Sequence, residues 1–264
     1  MSDNSNIPDQ IPDNRRFDRL NTLMERFSLD VRPAPVGKAD LLITGGSAPE
    51  MLLFGRGIAP GPKDTVFFAA RVDWGGAQNP LLAALPERIT LPIAQDADLS
   101  ALVAVMRAEV TAQRCGGGSV LSRLAEVLVV RLLRRQIEEG ASSGGVLAGL
   151  ADPRLSRAIV AMHDDPGHGW TSGSLADVAG LSLSRFSDLF LTCVGETPMS
   201  YLRRWRLTLA RQDIERGDRI GTVAHRYAYG SAEGFTRAFR KYHGTAPIAL
   251  RRDRQGAQDV SQVS

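Results

Sequence analysis

The side chains best suited to specific recognition chemistry lie in two short stretches of the C-terminal third of the chain. The first stretch offers Ser184, Arg185, Ser187 and Asp188, and the second offers Ala232, Glu233, Thr236, Arg237, Arg240 and Lys241. A planar guanidinium can donate two hydrogen bonds to a guanine edge, and both Arg and Lys can bind phosphate. These residue types point to a nucleic acid. We predict a base contact for Arg237 and phosphate contacts for Arg185, Arg240 and Lys241.

Each of these charged residues has a simpler interpretation as a solvated surface group, which the sequence favours about equally. Asp188 would be repelled by phosphate unless it accepts a hydrogen bond from a cytosine amino group or pairs with a neighbouring Arg. Gly234, inside the second stretch, costs a helix about 1 kcal/mol relative to Ala. The second stretch is therefore expected to bind more weakly, or to become ordered only on DNA.

An internal repeat positions both stretches. Five residues of one copy recur 49 positions later, namely Ser182, Phe186, Phe190, Gly195 and Pro198 as Ser231, Phe235, Phe239, Gly244 and Pro247. Each copy has a Ser that can cap a helix, two Phe on one helical face, a Gly stop and a Pro that opens the next helix. A short helix precedes each copy, with Leu175-Ala176 in one and Val223-Ala224 in the other, and the two turns differ by one residue. Each copy is therefore a helix-turn-helix, with predicted recognition helices over about 184–194 and 232–243.

A long helix is predicted between the two units. Thr197 and Pro198 are a typical start, Arg216-Gly217 is a typical stop, and Ser174 to Asp177 is a variant capping box for the first unit. A helix of about 19 residues is about 28 Å long, and successive major-groove faces of DNA lie about 34 Å apart. This spacer length permits both recognition helices to enter adjacent turns of one duplex.

The charge distribution agrees with a polyanion partner at this end of the chain. Residues 170–255 contain 14 Lys and Arg against 8 Asp and Glu, whereas residues 1–169 contain 18 against 20. A basic region can also be only a solvated face, so the charge alone leaves the two interpretations balanced.

The first half of the chain has a different pattern of apolar residues. An amphipathic helix is predicted within Arg15–Phe27, and short apolar runs between Gly and Pro clusters predict strands at Ala39–Thr44, Met51–Phe54, Thr65–Val72 and Ile89–Ile93. Two helices follow, over about Asp98–Arg114 and Ser119–Glu139, with Ser119 as the expected N-cap. The apolar stripe of the second, widened by Val127 and Val130, would be covered by the chain's own core or by a second subunit. Residues 140–149 are rich in Gly and Ser and predict a flexible linker.

Other function classes find little support in the sequence. Cys115 and Cys193 lie far apart, and all four His lie beyond residue 149, so no metal-ligating, catalytic or cofactor-binding residue is predicted. The N-terminus lacks the build of a signal peptide, and no apolar run reaches the roughly 20 residues of a membrane span. We expect a cytoplasmic protein. The rival classes are a metal enzyme and a module whose helices bind protein instead of DNA.

The C-terminal part resembles the DNA-binding domain of the AraC/XylS family. The resemblance rests on Leu175–Phe190 for the first unit, Pro198–Ala210 for the connecting helix and Gly234–Arg251 for the end of the second unit. It implies binding to double-stranded promoter DNA, usually to activate transcription. Ala228 departs from the family, which usually has Gly in the second turn, and would be strained if that turn needs a positive φ.

The upstream half resembles a subgroup of this family that has a cupin-like regulatory domain. Its marks are Asn79–Ile93, the helix pair and Leu150–Pro166, although four or five strands are fewer than the roughly eight of a small closed barrel. The predicted fold class is α+β, with a small β-rich domain and its helix pair before an all-α domain of two helix-turn-helix units. The predicted domains are a disordered tail (1–13), a cupin-like regulatory and dimerisation domain (14–140), a linker (141–151), the DNA-binding domain (152–255) and a second disordered tail (256–264). RNA polymerase, a second copy of the chain and a small-molecule effector are further candidate partners, and no membrane is expected.

Overall fold

The structure is a computed structural model that describes residues 19–45, 49–62, 64–75, 79–139 and 144–250. The tails predicted at 1–13 and 256–264 lie outside the described residues, as do the first residues of the predicted N-terminal helix. Within the described part, that helix, α1, runs over Asn21–Arg26.

The N-terminal half contains one antiparallel sheet of five strands in the order β1-β4-β2-β3-β5. The strands are β1 Leu29–Pro33, β2 Leu41–Gly45, β3 Pro49–Gly55, β4 Thr65–Trp74 and β5 Arg88–Pro92. Four of them lie within three residues of the predicted segments at each end. Strand β1 was not predicted as a separate run, and it pairs with the end of β4 from Leu29 opposite Trp74 to Pro33 opposite Ala70.

Helices cover one face of this sheet. They are α2 Pro80–Ala84, α3 Ala97–Ala112 and α4 Gly117–Glu138. Buried Leu128 and Leu132 confirm the predicted stripe of α4, which packs against β1 and α3, but Val127 is 47% exposed and does not widen the buried surface. The intrachain core thus covers most of the stripe. None of the helices in the described part of the chain is long and apolar enough to cross a membrane.

The predicted start of α4 at Ser119 is wrong by two residues. The helix begins at Gly117, after Gly116 in the left-handed conformation with φ 80°. Glycine adopts this conformation without steric cost, so the chain can reverse and begin the helix before the first available Ser.

The predicted flexible linker is also wrong in its second half. Residues Val146–Ala151 form helix α5, in which Val146, Leu147 and Leu150 are buried. Three apolar side chains in six residues bury enough surface to fix a short helix that would be unstable alone. Residues 140–143 lie outside the described part, and the boundaries of the two domains stay a prediction.

Six further helices form the C-terminal half. They are α6 Pro153–Asp164, α7 Ser172–Ala179, α8 Leu183–Val194, α9 Pro198–Arg216, α10 Ile220–Arg226 and α11 Ala232–His243. The order confirms two helix-turn-helix units, α7–α8 and α10–α11, joined by α9 with the predicted bounds. The N-cap of α7 is Thr171, which exchanges hydrogen bonds with Ser174 in a capping box. The expected capping role of Ser174 is therefore corrected: it is the third residue of the box and not the cap.

The two turns confirm the expectation about Ala228. In the first unit Gly180 has φ 69°, and in the second Ala228 has φ 59°. The hydrogen bonds match: the amides of Gly180 and Leu181 donate to Asp177 and Ala176, and those of Ala228 and Tyr229 donate to His225 and Ala224. The second turn therefore requires a residue in the left-handed conformation at the same position, and Ala228 adopts this conformation at a steric cost.

We expect Ala228→Gly to raise the free energy of unfolding by about 0.5–1 kcal/mol, because relief of the left-handed strain exceeds the entropy that Gly adds to the unfolded chain. The reverse change in the first turn, Gly180→Ala, is the matched control. It should lower the free energy of unfolding by a similar amount. An added Cβ there meets only the Arg157 guanidinium, at an ordinary 3.5 Å. Urea denaturation of both variants measures the effect, and a destabilised Ala228→Gly protein would contradict the strain argument.

Candidate nucleic-acid interface

Helix α8 is fixed by one apolar face and two capping residues. The hydroxyl of Ser182 accepts a hydrogen bond from the amide of Arg185, and Gly195 ends the helix with φ 86°. Phe186 and Phe190 are fully buried, with ring centroids 5.6 Å apart in an edge-to-face arrangement. The opposite face presents the predicted residues to solvent. Ser184, Arg185 and Asp188 are exposed, and Ser187 is half-buried.

Helix α11 repeats this construction. The hydroxyl of Ser231 accepts a hydrogen bond from the amide of Gly234 at 3.0 Å, and Phe235 and Phe239 are fully buried. Gly234 thus lies in the first turn of the helix, where its amide is satisfied by the cap. The outward residues of this helix are Ala232, Glu233, Thr236, Arg237, Arg240 and Lys241, all exposed except the half-buried Thr236. The hydroxyl of Thr236 donates to the carbonyl of Ala232 at 2.8 Å, which leaves its oxygen able to accept.

The basic residues of the recognition helices differ from most arginines around them. Arg185, Arg237, Arg240 and Lys241 have no side-chain hydrogen bond or ion pair with any residue that the structure describes. In contrast, Arg154, Arg204, Arg211, Arg216 and Arg226 are each paired with a carboxylate. Asp188 likewise forms no ion pair with a neighbouring Arg in this part of the chain. The cations on the two recognition helices are therefore available to an external anion.

Helix α9 supports both units. Its N-cap is Thr197, its first residue is Pro198, and Gly217 ends it after 19 residues. The four consecutive residues Leu207–Ala210 are all buried. Because successive residues are rotated by about 100°, four buried in a row mean that this part of the helix is covered on every side.

The first unit, together with helix α6 that precedes it, is attached to α9 around the buried side chain of Tyr201. The Tyr201 hydroxyl lies 2.5 Å from Nε2 of His163 on α6, and the His163 ring stacks on Trp205 with centroids 4.4 Å apart. Burial lowers the pKa of His163 to about 3 and raises the pKa of Tyr201. At neutral pH the imidazole is therefore neutral, and its hydrogen bond with the tyrosine hydroxyl holds α6 in place on α9. The ring of Phe190 on α8 meets the other side of Tyr201 at 5.7 Å.

The second unit is attached through a buried carboxylate. Asp213 on α9 is fully buried, and it accepts a hydrogen bond from the Tyr227 hydroxyl at 2.7 Å and from the guanidinium groups of Arg216 and Arg226. Burial is the largest cause of the raised pKa of Tyr227, and the hydrogen bond to Asp213 is the second largest. Since Arg226 and Tyr227 end α10, the carboxylate fixes the turn from which α11 departs.

These supporting residues were missed by sequence reasoning. Tyr201 and Asp213 lie on α9, whereas their partners His163 and Tyr227 lie at other helices, so these pairings depend on how the helices pack. The one available signal was a carboxylate in the last turn of the connecting helix, one turn after the apolar Leu209 and Ala210 and next to Ile214. A carboxylate in such surroundings is seldom buried unless it is paired. Among the described residues, no group of three or more His, Cys, Asp or Glu is placed to hold a metal ion.

Fold and site together define a two-unit helix-turn-helix protein with a sheet-containing N-terminal domain. Residues 27–138 match the family described as Cupin, and residues 175–253 match the family described as Helix-turn-helix domain. An AraC-like transcription regulator of Streptomyces antibioticus is 35% identical over 176 residues, which are 65% of this chain and 58% of that protein. Another from Streptomyces lividans is 31% identical over 217 residues, which are 79% of this chain and 66% of that protein.

The chain belongs to the AraC family, in the group with an N-terminal cupin domain. It spans 58% and 66% of the length of the two Streptomyces relatives. Among solved structures, a regulator of Chromobacterium violaceum with an AraC-type DNA-binding domain is 23% identical, at a TM-score of 0.37, over 39% of this chain and 92% of that chain. So low a score carries no argument about function.

We expect His163 to make the protein less stable in acid. Its folded-state pKa of about 3 lies below the roughly 6.5 of an unfolded His. As the pH falls, the unfolded chain takes up the proton first, so the stability is complete above about pH 6.5 and is lost progressively toward pH 3. Between pH 7.5 and pH 5 the loss from this one group should be roughly 2 kcal/mol.

Urea denaturation of the wild type and of His163→Gln at several pH values measures this loss. In a plot of the free energy of unfolding against pH, the slope for the variant should be smaller than that of the wild type by the equivalent of close to one proton. This should hold whatever the free energy of unfolding of the variant at neutral pH. His225→Gln, which changes an exposed His on α10, is the control and should retain the wild-type slope. Equal slopes for wild type and His163→Gln would refute the assignment.

Proposed function

We propose that the protein is a sequence-specific DNA-binding transcription regulator that inserts α8 and α11 into adjacent major grooves of promoter DNA. The observation that carries the proposal is the pairing pattern of the basic residues. Arg204, which pairs with Glu196, and Arg226, which connects α10 to Asp213 on α9, are neutralised by carboxylates, whereas the four cations on the outward faces of α8 and α11 are unpaired among the described residues. The two Streptomyces relatives, which are described as transcription regulators, support the same conclusion.

The length of the connecting helix supports a two-groove binding mode. With 19 residues, α9 is about 28 Å long, and the turns at its ends add to the separation of the recognition helices. Successive major-groove faces on one side of DNA lie about 34 Å apart. Because α9 is buried against both units, it acts as a rigid spacer, so the two helices have a fixed separation when they meet the duplex.

Each outward residue has a role in this proposal that follows from its chemistry. Arg237 donates two hydrogen bonds to a guanine, and Arg185, Arg240 and Lys241 contact phosphates. The smaller residues, Ser184, Ser187, Ala232 and Thr236, offer hydroxyl or methyl contacts to base edges. Asp188 and Glu233 can accept from the amino group of cytosine, which would exclude other bases at those positions.

The proposed function also includes regulation by a small molecule and assembly with other proteins. The cupin domain is proposed to bind a small-molecule effector, and the exposed side of α4 is proposed to contact a second copy of the chain. RNA polymerase is the proposed partner in activation, in agreement with relatives that are named as transcriptional activators. These partners place the protein in the cytoplasm.

Two other function classes make different predictions. A metal enzyme of the cupin type would bind a divalent ion in its N-terminal domain, and the names of the relatives point away from an enzyme. A protein-binding module would not discriminate between DNA sequences. Metal titration of the chain followed by calorimetry, and DNA binding at several salt concentrations, separate these classes from a regulator.

Genome-wide mapping of DNA bound by the full chain tests the proposal directly. We expect enrichment of promoter regions that share a motif with two conserved blocks about one helical turn apart. The purified chain should bind that motif far more tightly than a scrambled sequence of equal length. Equal affinity for both would overturn the proposal of sequence-specific regulation.

Arg237→Ala should weaken binding to the specific site by about 1–3 kcal/mol and relax the preference for one base pair, because it removes a bidentate base contact. Competition binding with a set of singly substituted operators measures both effects. Arg88→Ala, an exposed Arg on strand β5, is a matched control that should leave binding unchanged. An unchanged preference in Arg237→Ala would remove this residue from base recognition.

Lys241→Ala should lower the affinity for all sequences by a similar factor, because a phosphate contact carries no sequence information. It should also reduce the slope of log Kd against log salt concentration by about one. Titrations of specific and scrambled DNA at four salt concentrations give both quantities. A loss confined to the specific site would contradict a phosphate contact.

A further inference from the structure

The loop between α6 and α7 touches both helix-turn-helix units. It comprises residues 165–170 and leads directly into α7, the first helix of the first unit, through the N-cap Thr171. On its other side, Gly167 lies against the carbonyl oxygen of Arg226, the last residue of α10 in the second unit. The two units are therefore connected by this loop as well as by α9.

The contact at Gly167 leaves no room for a side chain. A Cβ added to Gly167 would lie 2.4 Å from the carbonyl oxygen of Arg226. Because that oxygen belongs to the backbone, a change of side-chain rotamer cannot relieve the clash. The loop and the end of α10 would have to separate by about 1 Å to reach ordinary van der Waals contact. In contrast, a Cβ added to Gly169 in the same loop would meet nothing within 4 Å.

Arg206 of α9 holds the loop in this place. Its Nε donates to the carbonyl of Pro166 at 2.6 Å, and a terminal guanidinium nitrogen donates to the carbonyl of His168 at 2.7 Å. The two hydrogen bonds therefore lie on either side of Gly167. Burial lowers the pKa of Arg206, and the nearby Tyr229 in the second turn opposes this shift. The guanidinium thus lies close to the loop and to the second unit.

The loop is also stiffened by its own contacts. The indole nitrogen of Trp170 donates to the carbonyl of Asp165 at 2.8 Å, and the Trp170 ring packs on that of His168 with centroids 4.4 Å apart. The amide of His168 donates to the Asp165 side chain at 3.1 Å. A segment that is bonded across itself in this way transmits a displacement instead of absorbing it.

A displacement at the end of α10 would reach the second recognition helix. Residues 227–231 connect Arg226 to the start of α11. Among them, the ring of Tyr229 meets that of Phe235 on α11 edge-to-face, with centroids 5.2 Å apart. Since Phe235 is fully buried, α11 has to follow the position of this turn.

We propose that Gly167 and Arg206 are positioning residues that set the orientation of α11 relative to α8, and with it the spacing of the two DNA blocks that the protein recognises. Helix α9 sets the distance between the units, and the loop sets their angle about that helix. A binding site requires its groups to be held within about 0.5 Å, so a shift of about 1 Å at this contact is large. The inference rests on the proposed function, because it requires both helices to bind DNA at once.

Binding of the full chain to operators of different spacing tests the proposal. Each base pair inserted between the two blocks moves them apart by about 3.4 Å and rotates them by about 34°. We expect the wild type to prefer one spacing. In Gly167→Ala, the ratio between the affinity for that spacing and the affinity for a spacing one base pair longer or shorter should change by at least about 5-fold. Gly169→Ala, the matched control in the same loop, should retain the wild-type ratios.

Arg206→Gln tests the same point without a clash, so the test does not depend on the folding of Gly167→Ala. It should change the ratios by a similar factor, whereas Arg206→Lys, which keeps the charge but not the planar fork, should have an intermediate effect. Unchanged ratios in either Gly167→Ala or Arg206→Gln, or an equal loss of affinity at every spacing, would overturn the proposal. Absence of sequence-specific binding by the wild type would instead overturn the proposed function.

Discussion

The burial of the central part of α9, Leu207–Ala210, on all sides is the constraint on which the rest of the C-terminal half depends. A unit of two short helices cannot bury enough apolar surface to be stable alone. Each unit here completes its core on the same helix: Phe190 of the first meets Tyr201, and His243 of the second contacts the carbonyl of Leu207 at 3.0 Å. The separation of the recognition helices is thus set by packing, and it cannot change without loss of both cores.

The polar contacts that fix this packing differ between the two units. The first relies on a neutral pair, His163 and Tyr201, whereas the second relies on the buried carboxylate of Asp213 with two guanidinium groups and a phenol. Buried charge is tolerated only when all its hydrogen-bonding capacity is met. Asp213 meets that condition through Arg216, Arg226 and Tyr227, which also restrains the turn that contains the strained Ala228. Strain in one residue is thereby offset by the network beside it.

The elements that depend on nearby residues could be predicted from the sequence, whereas the elements that depend on tertiary packing could not. The bounds of α9 and α11, the caps Ser182 and Ser231 and the buried Phe pairs were predicted because capping and helical periodicity act within a few residues. Strand β1 was missed because Leu29–Pro33, although its apolar and charged residues alternate, contains only two large apolar side chains before a Pro, and it is fixed by its pairing with β4. The outward positions of the ten candidate site residues followed from the same periodicity. The residues that orient them, such as Asp213, required the tertiary structure.

The replacement of an expected flexible linker by α5 changes how the two halves of the chain can communicate. A flexible tether would let the cupin domain influence DNA binding only by holding two DNA-binding domains near each other. In this structure Arg19 donates to the carbonyl of Leu150, and Leu147 and Leu150 are fully buried, so α5 shares a core with both halves. Helix α5 contacts both α2 and α8, so the two halves share one packed interior. Close-packed interiors respond to small displacements by switching between discrete arrangements, so the packing of one half depends on that of the other.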